Sequence, residues 1–370
     1  MENVGILSMQ RVINYGSFLQ AYALKKMLEN QGAANVYFID ICQGKTLPGF
    51  DPKPKESRFI KFKEAVISGN LISKIKGKSF YDDQSKRFQD KFFPMLGLDD
   101  KCPEHLDMAV IGSDEVFNCC QRAKWGYTTQ LYGNIPQAKK VISYAASFGH
   151  TTYEKLQDLG IAEEIGKWLK TQASISVRDD NSLDIVKNLT QKEPQKHLDP
   201  VLIYDFSQEI KQCSEPNIKN YIIIYAYRDR IHSIEEINEI RNFARKTGKR
   251  LVSLGSYYSW CDKSIVPTSP FEVLKWFRSA DYIITDTFHG TIFSVISRRK
   301  FCTLLRNTNT QKLSSLLNTL SLTEQGIMTK PQQIGKILQQ DINYDLVESL
   351  IAQEREKSNK YLNIAMKKEC

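Results

Sequence analysis

What this sequence lacks narrows it first. No apolar run approaches the roughly 20 residues that span a bilayer, and the first residues show neither the basic start nor the apolar stretch of a signal peptide. The expectation is a cytoplasmic chain. Its eight cysteines, at 42, 102, 119, 120, 213, 261, 302 and 370, include no CxxC spacing. Such scatter reads as reduced thiols, several of them buried, and not as a disulfide framework. Cys119 and Cys120 are the one adjacent pair, and vicinal cysteines make poor zinc ligands and strained disulfides. No carboxylate-histidine cluster has ligand spacing, so no metal site is expected. Also missing are GxGxxG after the first apolar run, GxxxxGK[ST], GxSxG and HExxH. Their absence argues against a dinucleotide enzyme, a P-loop enzyme, a serine hydrolase of that type and a zinc protease. The net charge of +9 comes with no RNP-like, helix-turn-helix or zinc-finger pattern, and its basic residues are spread along the chain. Nucleic acid is therefore not the expected partner. The charge suits a phosphate-bearing substrate equally well, or an acceptor carried on a lipid phosphate at the membrane surface.

What is present is an alternation of short apolar runs and helical stretches. At 370 residues the chain exceeds the size at which one core usually stops growing, so two domains are expected. The run at 4–9 is followed by Asn14-Tyr15-Gly16-Ser17 and a helix in which Ala21, Leu24 and Leu28 share a face, ended by Gly32. The run at 36–41 completes a βαβ unit. Parallel strands joined this way carry their ligand-binding loops at the carboxyl ends of the strands. Residues 53–87 interrupt the alternation with lysines interleaved with Phe59, Ile60, Phe62 and Ile67. That stretch reads as a solvated helical insertion, or as a basic amphipathic surface resting on anionic lipid. Strands are expected at 108–111, 141–145 and 175–177, with a helix at 153–170. A polar segment containing Pro216 then reads as a linker, and 221–227 opens a second series of strands and helices. The organisation expected is an α/β chain of two Rossmann-like, doubly wound domains, 1–207 and 221–343, joined by the linker 208–220. A helix over 344–370 crosses back to the first domain.

Four loops at strand carboxyl ends carry the candidate chemistry. In the segment 284–291, an apolar strand ends in Asp286-Thr287-Phe288, and a helix begins with His289, Gly290 and Thr291. The helix amides and dipole there favour a phosphate or carboxylate, and His289 can deliver a proton or pair with an anion. In the first domain, Gly16 permits close backbone approach, and Ser17 either caps the helix or binds an anion. Gly112-Ser113-Asp114 follows a strand, and Asp114 either orients or deprotonates a sugar hydroxyl or serves as an N-cap. Arg178 closes another strand and suits a carboxylate or phosphate, against an ion pair with Asp179 or Asp180.

Taken in order, VGILSMQRVINYGSFLQAYALKKML, DMAVIGSDEVFN, VISYAASFG, SISVRDD, HLDPVLI, DYIITDTFHGTIFSVISRRKFCTLL and LSSLLNTLSL resemble the polysaccharide pyruvyl transferase family. The resemblance implies a glycosyltransferase-B-like fold whose two domains, acceptor side first and donor side second, face a cleft. It also implies transfer of pyruvate from phosphoenolpyruvate to a hexose of a surface polysaccharide, or its lipid-linked precursor, as a ketal across O4 and O6. His289, Asp114 and Arg178 would carry the chemistry. Asn14, Tyr15, Gly16, Ser17, Gly112, Ser113, Thr287, Phe288, Gly290 and Thr291 would line the substrates. No cofactor is implied, and a lipid-linked acceptor would bring the chain to the inner face of a bacterial membrane. Relatives carry an arginine two residues before the histidine, where this chain has Thr287. The anion clamp is therefore expected from Arg178, Arg306 or Lys312. Two other classes fit the same pattern of elements: a glycosyltransferase using a nucleotide sugar, and a silent scaffold in glycan assembly.

Overall fold

Each short apolar run becomes a strand, and each amphipathic stretch the crossover that covers it. The computed structural model describes residues 1–50, 71–328 and 330–367. The first sheet holds β1 (Asn3–Leu7), β2 (Asn35–Phe38), β3 (Met108–Asp114), β4 (Val141–Ala146), β5 (Ser176–Val177) and β6 (Gln195–Lys196), in the order β2-β1-β3-β4-β5-β6. The second holds β7 (Tyr221–Tyr225), β8 (Arg250–Leu254), β9 (Lys263–Ile265), β10 (Tyr282–Thr285), β11 (Lys300–Leu304) and β12 (Gly326–Ile327), in the order β12-β11-β10-β7-β8-β9. Their strand pairings are parallel. Helices cover both faces of such sheets, so a strand such as YIIIY is buried at every position instead of alternating.

The two orders decide where ligands can sit. In each sheet the winding reverses once, between β1 and β3 in the first and between β7 and β10 in the second, and a crevice opens at that point beyond the strand carboxyl ends. Register brings the loops there level. Leu7 pairs with Ile111, and Thr285 pairs with Tyr225. The loops 8–14 and 286–287 therefore leave from the two switch points.

Helix α1 (Tyr15–Asn30) begins where the Asn14 side chain accepts from the amides of Gly16 and Ser17, satisfying two of the unpaired first-turn donors. Helix α2 (Leu71–Arg87) is the described part of the lysine-rich stretch; residues 53–70 lie outside the described residues. It is more than a solvated insertion. Its Gln84 Nε2 donates to Gly255 O at 3.0 Å, and its Tyr81 hydroxyl accepts from the Tyr257 amide at 3.2 Å, so it bridges to the second domain. The single helix expected at 153–170 is two, Tyr153–Asp158 and α3 (Ala162–Thr171), because Gly160 takes a positive φ of 67° between them. Further on come α4 (Asp180–Thr190), α5 (Pro200–Ile203), α6 (Ile234–Thr247), α7 (Pro270–Ser279), α8 (Phe288–Ile296) and α9 (Thr310–Thr319).

The last helix, α10 (Tyr344–Met366), starts against the second domain, where the Tyr344 hydroxyl donates to Arg299 O. It ends on the first, with the Tyr361 hydroxyl donating to Ser143 O at 2.7 Å and Arg355 Nε to Ile203 O at 2.8 Å. The domains also share a core. Phe18 and Tyr22 of α1 meet Phe271 of α7 with ring centroids 6.2 and 4.9 Å apart, and one buried cluster runs through both halves. Such ring pairs contribute about 0.5–1.5 kcal/mol each beyond the area they bury, so the seam behaves as core. No described helix is long and apolar enough to cross a membrane. Cys119 and Cys120 are buried and free.

Candidate active site

The two switch points face each other, and their loops interlock. A Cβ on Gly16 would lie 2.3 Å from Cγ and Nδ1 of His289. The first turn of α1 thus presses backbone against the imidazole, which only glycine allows. His289 is the second residue of α8, whose start is capped by the Thr287 hydroxyl accepting from the Gly290 amide at 2.8 Å. The first amides of a helix have no partner inside it, so they point with their partial positive charge into the cleft.

Arg178 stands opposite, just past the end of β5, with its side chain 1% exposed. Its Nη1 donates to Asp199 Oδ2 at 3.0 Å and its Nη2 to Asp114 Oδ1 at 3.2 Å. The guanidinium also lies 4.2 Å from the centroid of the Phe288 ring, a cation-π contact that fixes its plane. Asp114 ends β3 with a φ of 73°, a left-handed conformation that Asp tolerates better than most residues. The conformation turns its carboxylate toward the cleft, where Oδ2 accepts from Ser17 Oγ at 2.8 Å. Asp199 caps the short helix α5 through the Val201 amide. Its Oδ2 also accepts from Ser113 Oγ at 3.3 Å and lies 3.5 Å from His289 Nε2. That last distance is long for a hydrogen bond, and Nε2 is buried without another partner. Glu115 takes Lys312 of α9 as its ion-pair partner.

Charge balance sets the state of these groups. Burial pushes the carboxyls of Asp114 and Asp199 up, but neighbouring positive charge outweighs it. Arg178, with His289, holds Asp114 below the usual range, and His289 with Arg178 does the same for Asp199. Burial likewise opposes ionisation of Glu115, which Lys312 holds below its ordinary value. Burial would lower Arg178 and Lys312, and their carboxylates raise both instead, so each keeps its proton. Among the described residues no group of three or more His, Cys, Asp and Glu is placed to hold a metal ion.

The profile of the polysaccharide pyruvyl transferases matches residues 14–308. The chain belongs to this family. No curated protein matches it. Among solved structures, the S. aureus MnaA-UDP co-structure aligns over 98% of this chain and 92% of its own, with a TM-score of 0.50 and 14% identity. The Methanocaldococcus jannaschii UDP-GlcNAc 2-epimerase in complex with UDP-GlcNAc and UDP covers 99% of each chain at a TM-score of 0.48 and 12% identity. At 14% identity the first likeness speaks to the fold alone, two α/β domains of glycosyltransferase-B type.

In this pyruvyl transferase family member, the cluster gathers His289, Asp114, Arg178, Gly16, Ser17, Phe288 and Lys312 from among the residues singled out in the sequence. Ser17 does not cap α1; Asn14 does, and Ser17 donates to Asp114 instead. Tyr15 is buried against Phe88, with centroids 5.1 Å apart. Gly112 has a φ of 128°, and a Cβ there would lie 2.2 Å from Tyr144 O. Ser113 is buried and supports Asp199. Gly290 packs on the hydroxyls of Thr285 and Thr287. Thr291 bonds inside the second domain to Thr287 O and Thr303 Oγ1. Arg306, expected as a clamp candidate, takes no part in the cluster, because Glu236 of α6 holds it with two hydrogen bonds of 2.6 and 3.0 Å. Sequence reasoning missed Asp199 and Glu115. The block HLDPVLI contained the first, as an Asp-Pro helix start; the second stood beside Asp114 in GSDEVFN.

Proposed function

We propose that this transferase moves the pyruvyl unit of phosphoenolpyruvate onto a hexose of a polysaccharide or its lipid-linked precursor, forming a ketal across two hydroxyls such as O4 and O6. One observation carries this reading. The cations Arg178 and Lys312 flank Phe288, 4.2 and 6.0 Å from its ring centroid, with His289 next in sequence at the head of a helix. That set of groups answers an enol phosphate, which needs one cation for its carboxylate, another for its phosphate and an acid for its methylene carbon.

The residues then divide the work. Arg178 keeps both aspartates and offers the donor carboxylate its Nε–H, which has no partner among the described residues, and Lys312 with the first amides of α8 holds the phosphate. Protonation of C3 by His289 leaves an oxocarbenium-like centre at C2, which a sugar hydroxyl attacks as Asp114 takes its proton. Phosphate leaves C2, and the second hydroxyl closes the ring. Of the two hydroxyl protons, one replaces that given to C3 and the other departs with phosphate. Asp199 holds Arg178 and faces His289 Nε2, so it orients the acid. A cavity of about 360 Å³ adjoins the cluster at Asn14 and Thr287, walled by Tyr81, Tyr227 and Arg228. Its size and aromatic lining support it as the place for the acceptor sugar.

Calorimetric titration tests the donor. Phosphoenolpyruvate should bind the wild type and be lost from Lys312→Ala and Arg178→Lys. A protein that ignored phosphoenolpyruvate and bound a UDP-hexose would be a glycosyltransferase instead.

A further inference from the structure

Among the described residues the cluster has no spare positive charge. Two fixed cations, Arg178 and Lys312, meet three carboxylates, Asp114, Asp199 and Glu115. The donor's phosphate can gain a cation only if one of them changes partner. Arg178 cannot easily do so, because it is forked between two carboxylates, one of them 0% exposed. Lys312 can. Among the described residues Glu115 is its one hydrogen-bond partner, and its four-carbon stem is flexible.

Glu115, by contrast, is anchored. Its Oε2 accepts from Asn118 Nδ2 at 2.7 Å, and Asn118 Oδ1 accepts from Thr151 Oγ1 at 2.8 Å and from the Cys120 amide at 3.1 Å. Gly149, with a φ of 59°, wraps the pair so closely that a Cβ would lie 2.5 Å from Glu115 Oε2 and 2.6 Å from Asn118 Nδ2. The carboxylate belongs rigidly to the first domain, while Lys312 arrives in the first turn of α9 from the second. The ion pair is therefore also a tie between domains.

We infer that Glu115 is a positioning residue that holds Lys312 in the resting enzyme, yields it to the donor's phosphate, and takes it back when phosphate leaves. The inference rests on the reading of this cleft as the donor site. It makes Glu115 a competitor of the phosphate, so donor and product both bind more weakly than Lys312 alone would bind them. Weaker product binding in turn speeds release.

Glu115→Gln removes the charge and keeps an acceptor for Asn118. Inorganic phosphate is titrated into the wild type, E115Q, Lys312→Met and the double variant. E115Q should bind phosphate roughly tenfold more tightly, a modest share of what close charge pairs couple. Lys312→Met should bind it more weakly, and the double variant no more tightly than Lys312→Met. Product inhibition by phosphate should strengthen in E115Q by the same factor. A purely structural tie predicts a lower melting temperature with phosphate affinity unchanged or weakened; either result in folded E115Q, or a gain that persists without Lys312, overturns the inference. If E115Q does not fold, Glu115→Asp decides, since a shorter carboxylate grips Lys312 less and must also bind phosphate more tightly than the wild type. Turnover separates the two readings. Gain of phosphate affinity in E115Q without consumption of phosphoenolpyruvate by the wild type would sink the donor and leave Glu115 its role. Consumption with phosphate affinity unmoved would do the reverse.

Discussion

Replacing Arg178 with leucine should cost this fold more than any other single change in the cleft. The guanidinium is 1% exposed, and its two carboxylate partners are 14% (Asp114) and 0% (Asp199) exposed. Leucine fills part of the volume but leaves both carboxylates buried without the guanidinium, with Asp199 keeping its hydrogen bonds from Ser113 and the Val201 amide and the longer contact to His289. Breaking a buried ion pair from one side costs about 3–5 kcal/mol at neutral pH, or roughly 6–20 °C in the midpoint of a domain of this size. The loss must depend on pH. In the wild type both carboxyls titrate below their ordinary value, so their contribution is complete above about pH 4 and vanishes only as pH falls through the lower folded values. In Arg178→Leu, burial without the cation raises them, and the variant loses stability as pH climbs through the raised values. The gap between the proteins should be widest at pH 8 and close toward pH 4.5, as read by thermal melts across that range. Arg178→Lys, which keeps the charge but not the fork, should fall between. A gap under about 1 kcal/mol, or one independent of pH, would refute the account of a guanidinium holding two buried carboxylates ionised.

Three further outcomes follow from the same geometry. Gly16→Ala puts a methyl 2.3 Å from the His289 ring; it should cost about 1–3 kcal/mol and most of the turnover by displacing the imidazole, whereas unchanged melting and activity would mean the contact is slack. His289→Ala should lower turnover by about 10² to 10⁴ with the fold intact; near wild-type turnover in His289→Gln, which donates a hydrogen bond but no proton, would make the residue an anion binder. Because Arg178 and Lys312 supply the donor's positive charge, chelator should leave turnover intact, and loss in EDTA that manganese restored would favour the nucleotide-sugar reading.

How much of this was legible depends on how local each signal is. The strand-turn-helix around His289 was readable because the apolar run Tyr282-Ile283-Ile284 ends abruptly in Thr285-Asp286-Thr287, and capping chemistry is local. The long final helix was readable from length and pattern alone. Asp199 was not, because the strand before it, β6, is two residues long and the helix it caps only four, so neither carries a periodicity. Glu115 and Arg306 were beyond sequence reasoning for another reason. Whether a charge is free depends on its partner, and their partners stand 197 and 70 residues away. That distance is why Lys312 and Arg306 looked equivalent as clamps while the fold separates them. Ser17 likewise changed role because Asn14, three residues earlier, had already filled the cap.

The central claim is transfer of a pyruvyl unit from phosphoenolpyruvate to a sugar, and one incubation tests it. Purified protein is mixed with phosphoenolpyruvate and a panel of synthetic or lipid-linked galactosides and mannosaminides, and product mass and released phosphate are read together. The account predicts one acceptor class that gains the mass of pyruvic acid less one water, with one phosphate released for each ketal and no such product from His289→Ala. Phosphoenolpyruvate left untouched while the same acceptors gain a hexose from a UDP-sugar would contradict it.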